Sequence, residues 1–202
     1  ETTGFAIVGR SAQTAYSQRL VVRADVRRRG IATRLEQESL AWAHSRGAVD
    51  LLVIGPHPDD LEIGLGGSIA KHVAMGLRVG LCDLTAGEMG SNGTVDERLA
   101  ESEAARAVLG ASWRVNLRLP DRAIGTSPDH ARRVAALIRA SRPRAVAIPY
   151  WTDRHPDHES SSRMLTEAVF NAGLRKYEAE GEAWKPELVS YYFINDSVAP
   201  SF

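Results

Sequence analysis

The stretch LLVIGPHPDDLEIGLGG, residues 51–67, drives an unbroken aliphatic run into one histidine and two adjacent aspartates. A strand covered on both faces reads as such a continuous apolar run, whereas a half-exposed strand alternates. A second stretch, AVAIPYWTDRHPDHES at residues 145–160, repeats the arrangement and closes with a further histidine. Ionisable groups are costly to bury without partners. Two core strands that both end in them therefore point to a cleft at the strand ends.

The text around these runs alternates regularly. Strands are expected over 50–54, 78–84, 113–118, 144–149 and 187–194, with helices over 61–75, 94–109, 127–141 and 157–173 between them. Single helices between continuous apolar strands predict a Rossmann-like α/β fold, a parallel sheet sandwiched by helices. In such sheets ligands bind beyond the carboxyl ends of the strands, where strand order reverses. Both His-Pro-Asp segments are expected there, in one crevice. Ahead of this region GFAIVG (4–9) and YSQRLVVRA (16–24) read as strands, and residues 31–46 as a helix with Ile31, Leu35 and Trp42 on one side.

With 25 Lys plus Arg against 25 Asp plus Glu, the chain has no net charge. No global field therefore draws it to nucleic acid or to an anionic membrane, and neither is an expected partner. No run approaches the roughly twenty apolar residues of a membrane span. Cys82 is the lone cysteine, can form no internal disulfide, and reads as core, which suits a reducing, cytoplasmic setting. The 202 residues fit one domain, or one domain with an appendage. Because Glu1 is not a start methionine, the chain reads as a piece of a longer product.

His57 and Asp60 stand in an H-x-x-D spacing on a loop that enters a helix, and His158 can add a third ligand from the opposite loop. Two imidazoles and one carboxylate form a common three-ligand set for a catalytic zinc with an open position for water. Asp59 and His155 are then left in the crevice, where a general base and an oxyanion stabiliser are needed. A plainer reading makes Asp59 or Asp60, and Asp157, helix N-caps, with proline suited to the first turn, but capping leaves three histidines unexplained. Gly64, Gly66 and Gly67, with Asp83 further on, imitate a dinucleotide fingerprint. They fall inside the predicted helix, where they more naturally let it approach the sheet, and the turn carries carboxylates that would repel a pyrophosphate. A non-haem iron oxygenase shares the two-histidine, one-carboxylate set; the additional Asp59 and His155 suit hydrolysis better.

These residues carry a resemblance. Residues 50–202 resemble the LmbE-like (PIG-L) family of zinc-dependent N-acetylglucosamine deacetylases, with HPDD and HPDH as its two hallmark motifs. The text CDLTAGEMGSNGTVDERLAESEAARAVLG, then LPDR, PYWTDRHPDH and AVFNAGLRKY, is similar to the branch that acts on N-acetylglucosaminyl-malate in bacillithiol biosynthesis. The resemblance implies that His57, Asp60 and His158 bind the metal and that Asp59 is the general base. It further implies that His155 stabilises the tetrahedral intermediate with support from Asp157, and that Arg98 and Asp121 hold the sugar or its acidic aglycone. The native metal stays open between zinc and ferrous iron, other GlcNAc conjugates stay open as substrates, and a homo-oligomer is implied. Asp83, Thr85 and Glu88 receive no role, although they could shape the rim.

Residues 1–49 differ in character. VVRADVRRRGIATRLEQESLAWAHSRGA (21–48) resembles the central part of GNAT acetyltransferases, where a loop, here Arg27 to Ala32, opens a helix whose N-terminus holds the coenzyme A pyrophosphate. The strand that should follow is DLLVI, which the deacetylase fold needs as its first strand. The expected division is therefore a truncated, inactive GNAT-like β-β-α segment over 1–49 and an LmbE-like domain over 50–202 that lacks its C-terminal end. The competing function is an acetyl-CoA-dependent N-acyltransferase seated in the first segment.

Overall fold

The computed structural model describes residues 4–11, 14–22 and 49–195. β1 (Gly4–Ser11) and β2 (Thr14–Val22) pair antiparallel as a two-stranded sheet. The helix expected over 31–46 and the loop Arg27 to Ala32 lie outside the described residues.

The remainder is the expected α/β sandwich. β3 (Leu51–Gly55), α1 (Asp60–Ala74), β4 (Val79–Thr85), α2 (Val95–Leu109), β5 (Trp113–Leu119), α3 (Pro128–Ser141), β6 (Ala145–Pro149), α4 (Pro156–Ala172) and β7 (Leu188–Tyr192) follow in order. The five strands form one parallel sheet ordered β5-β4-β3-β6-β7. Every residue of β3 and β4 is buried, which is why β3 reads as a continuous apolar run and β4 as one up to Cys82. Alternate side chains feed opposite cores. Leu52, Ile54, Cys82 and Leu84 pack against α3 and α4, and Leu51, Val53, Val79 and Leu81 face the side of Leu61 and Ile69 on α1.

The chain winds outward from β3 through β4 to β5, then returns to place β6 on the opposite flank of β3. Strand order thus reverses between β3 and β6. With β3 hydrogen-bonded on both sides, it is the centre of this sheet and is not available as a strand of another. No described helix is long and apolar enough to cross a membrane.

The glycines of α1 divide by position. A Cβ at Gly64 would lie 2.5 Å from the Tyr192 ring and 2.9 Å from the Phe193 carbonyl, whereas Gly66 and Gly67 have nothing within 4 Å. Only Gly64 therefore permits the close approach expected of all three. Tyr192 fills the space and donates its hydroxyl hydrogen to the Ile54 carbonyl at 2.9 Å, securing the end of β3. Gly64→Ala is expected to destabilise the fold by about 1–3 kcal/mol through overpacking, and Gly67→Ala to stabilise it by about 0.5–1 kcal/mol through helix propensity. Urea midpoints should move in opposite directions; a common direction would contradict this packing.

Candidate functional site

The loops that leave β3 and β6 carry the two His-Pro-Asp segments to neighbouring positions. In the first loop Asp59 occupies the N-cap position of α1 with φ 111° and ψ −29°, and its side chain makes no capping hydrogen bond. A non-glycine residue held in that region is strained and persists only where its surroundings fix it. The conformation sends successive carboxylates in different directions. Asp59 lines the crevice, its side chain 60 % exposed, while Asp60 is buried and its Oδ2 accepts the His57 backbone N–H at 2.9 Å. The Asp59 side chain thus does not cap the helix.

In the second loop the cap of α4 is His155, whose Nδ1 accepts the Asp157 backbone N–H at 3.2 Å, with Pro156 in the first turn. An accepting Nδ1 puts the proton of the neutral ring on Nε2. Burial, and then the neighbouring His158 and His57, lower the His155 pKa and favour that neutral form.

The rings of His57, His155 and His158 gather with centroids 4.6–5.6 Å apart, and one nitrogen of each lies within 4.8 Å of the others. Asp60 lies between two of these rings: its Oδ2 is 3.1 Å from His57 Nδ1 and its Oδ1 3.4 Å from His158 Nε2. The opposite nitrogen of each ring also faces carboxylate. His57 Nε2 is 3.2 Å from both Asp121 Oδ1 and Asp157 Oδ2, and His158 Nδ1 is 3.1 Å from Asp153 Oδ2.

This crowding sets the electrostatics. Burial alone would lower the His57 pKa, but Asp60, Asp121 and Asp157 overcome it and raise it to about 9. Asp60 and Asp153 likewise overcome burial to raise His158. Burial works against ionised Asp60, yet its contacts with His158 and His57 hold its carboxyl well below the usual range. The carboxylates thus call for positive charge at the centre. A divalent cation with neutral imidazoles meets the same demand, since metal binding releases the protons of its ligands. Two imidazoles and a carboxylate suit zinc or ferrous iron, so the residues present fit such an ion. A second grouping, His57 with Asp121 and Asp157, already has a cation beside it, because Arg122 Nη1 donates to Asp157 Oδ1 at 3.1 Å.

Several expected roles shift. The Arg98 guanidinium donates to the Pro58 carbonyl at 2.6 Å, the Gly87 carbonyl at 3.2 Å and Asp59 Oδ2 at 3.2 Å, so it braces the first loop and pairs with Asp59. Asp121 faces His57 and accepts the Met89 N–H at 3.0 Å. Asp157 directs its carboxylate to His57 and Arg122, and meets His155 only through its backbone N–H. Asp83 is buried in an ion pair with Arg114 and is absent from the rim. Thr85 bonds the Pro56 carbonyl at 3.0 Å, and Glu88 accepts the Asp121 N–H at 2.8 Å. Asp153, which sequence reasoning passed over, lies two residues before His155 in the same loop; its proximity in the chain was the only signal.

Comparison with known proteins bears on the family and the fold. The family model described as GlcNAc-PI de-N-acetylase (PIG-L) matches residues 52–169, and that of the GNAT acetyltransferases matches residues 2–61. Diacetylchitobiose deacetylase of Thermococcus kodakarensis is 34% identical over 137 residues, covering 63% of this chain and 51% of its own length. The chain thus spans about half of that relative. A conserved protein of Thermus thermophilus is 47% identical with a TM-score of 0.73, covering 76% of this chain and 70% of that one. The 4-carboxy-2-hydroxymuconate hydratase of Pseudomonas putida is 26% identical with a TM-score of 0.61, covering 71% and 63%.

Proposed function

The chain belongs to the GlcNAc-PI de-N-acetylase (PIG-L) family, and on that premise we propose that it is a metal-dependent N-deacetylase of a small GlcNAc conjugate. The observation that carries the proposal is the placement of Asp59. Its carboxylate is freed from capping by a strained backbone and set beside the His57, Asp60 and His158 cluster.

A divalent cation held by those three residues would supply Lewis acidity, polarising the acetamide carbonyl and bringing the pKa of water to about 7. Asp59 takes the proton from the attacking water. Although its side chain is 60 % exposed, desolvation by the crevice walls and the charge of Asp60 raise its pKa, while Arg98 and His57 oppose them. A raised carboxylate pKa makes a better proton acceptor near neutrality. The Nε2–H of His155 donates to the oxygen that gains charge as the tetrahedral centre forms. The proton taken by Asp59 then passes to the departing nitrogen, and acetate leaves a free glucosamine amine. Arg98 fixes Asp59 through its ion pair and its bond to Pro58.

For the aglycone we favour malate, as in the bacillithiol precursor. The crevice, about 560 Å³, has room for a sugar conjugate and carries Arg98, Arg122 and Arg154. Arg98 and Arg122 are paired with aspartates, whereas Arg154 donates to the neutral Asn195 side chain and has no carboxylate partner among the described residues. Arg154 is therefore the better candidate for an acidic aglycone than Arg98. Acetate release from GlcNAc-malate and GlcNAc-inositol, side by side, tests this. One charge-assisted contact is worth about 1.5–3 kcal/mol, so kcat/KM for the malate conjugate should be at least about tenfold higher. Equal or reversed values would discard the malate reading.

A base beside an activated water also suits addition of water to a carbon–carbon double bond, the reaction named for the Pseudomonas putida relative. Absence of acetate release from every GlcNAc conjugate, with hydration of an unsaturated dicarboxylate, would favour that reading.

A further inference from the structure

Resting on the metal-site reading above, we propose that Asp153 is a positioning residue for the metal, fixing the tautomer of His158 so that its Nε2 lone pair is turned toward Asp60. Two groups lie against His158 Nδ1, the Asp153 carboxylate at 3.1 Å and the Asn195 side-chain amide nitrogen at 3.3 Å; the charged carboxylate, which can only accept, outweighs the neutral amide and places the ring proton on Nδ1. That leaves Nε2, 3.4 Å from Asp60 Oδ1, unprotonated when the ring is neutral. A proton on Nε2 would instead block the ligand position.

Asp153 is suited to hold its own position. Its side chain is 5% exposed. Oδ1 accepts the His155 backbone N–H at 2.8 Å and the Asn195 side-chain amide at 3.1 Å, and Oδ2 accepts the Asn195 backbone N–H at 3.2 Å. The carboxylate thus ties the loop before α4 to the segment after β7 and presents a fixed acceptor to the histidine. The same arrangement recurs at His57 from the opposite loop, where Asp121 and Asp157 face Nε2 and Nδ1 is left toward Asp60. Each imidazole of the proposed ligand set is therefore backed by carboxylate on the nitrogen that faces away from Asp60. Such partners orient a ligating histidine and raise its basicity, and their loss typically weakens metal binding about 10–100-fold.

A loop-bracing role alone predicts something else, and the two can be separated. Zinc affinity is measured by competition with a chromophoric chelator in the whole chain and in Asp153→Ala, Asp153→Asn and Asn195→Ala, with the ligand-field spectrum of the cobalt-loaded forms recorded alongside. Asp153→Ala should bind zinc about 10–100-fold more weakly. Asp153→Asn, which preserves shape and one weaker acceptor, should show a smaller loss and an altered cobalt spectrum. Asn195→Ala removes the amide that braces Asp153 and that also lies 3.3 Å from His158 Nδ1, but leaves the Asp153 carboxylate beside that nitrogen, and should keep affinity within about threefold. Should Asp153→Ala fail to fold, the asparagine variant decides. Wild-type affinity and spectrum in Asp153→Asn, with one zinc bound by the unaltered chain, would overturn the role of Asp153 and leave the metal site standing. An unaltered chain that binds no zinc or cobalt would overturn the metal site itself, and this proposal with it.

Discussion

Asp59→Asn is expected to retain its bound metal and lose turnover by about a hundredfold or more, the usual cost of removing a general base. Asparagine has the same shape and tolerates positive φ better than most residues, so the loop at φ 111° should survive the exchange. No capping bond is lost, because the Asp59 side chain makes none. The ion pair with Arg98 is lost, but Arg98 keeps its bonds to the Pro58 and Gly87 carbonyls. An amide has no basic oxygen to accept a proton from water, and turnover should fall at unchanged metal content. Wild-type turnover would mean that Asp59 only shapes the entry to α1.

His158→Ala should lose stoichiometric metal altogether, and activity with it. The side chain is 3% exposed and faces Asp60 on one side and Asp153 on the other. Truncation removes one of two imidazoles in the proposed ligand set and leaves two carboxylates without that partner. Metal analysis after gel filtration checks the outcome directly. A full equivalent of metal in this variant would transfer the site to other residues, with His57 and His155 the first to examine.

The parts of the molecule that could be read in the sequence share one property: they are set by local pattern. β3, β4 and β6 read correctly because burial on both faces leaves no polar alternation, and the ends of α1 to α4 fall within a residue or two of their expected places. That His57, Asp60 and His158 meet at one end of the sheet followed from the same logic, since ionisable residues directly after buried strands must lie there. What could not be read is which carboxylate each histidine faces. Asp121 and Asp157 reach His57 across 64 and 100 residues of sequence, and only loop conformation decides between them. Arg98 shows the same limit. Its charge suggested a carboxylate-binding role, but the approach of Pro58 and Gly87 engages the guanidinium with backbone carbonyls. At α4 a proline after the loop signalled a helix start correctly, yet the cap is the histidine and not the aspartate, because the Asp157 side chain is drawn to His57 and Arg122. The three glycines of α1 looked alike in sequence, and only Gly64 meets Tyr192.

The central claim, that a metal held between the two His-Pro-Asp loops drives removal of an acetyl group, is tested most directly by following acetate and free amine together. The protein is stripped with a chelator, dialysed, and assayed on GlcNAc conjugates before and after one equivalent of zinc or ferrous iron is returned under anaerobic conditions. The account predicts no turnover by the stripped protein, and acetate and amine in equal amounts once the single equivalent is restored. Full acetate release by the stripped protein, or none from any conjugate after either metal is returned, would contradict it.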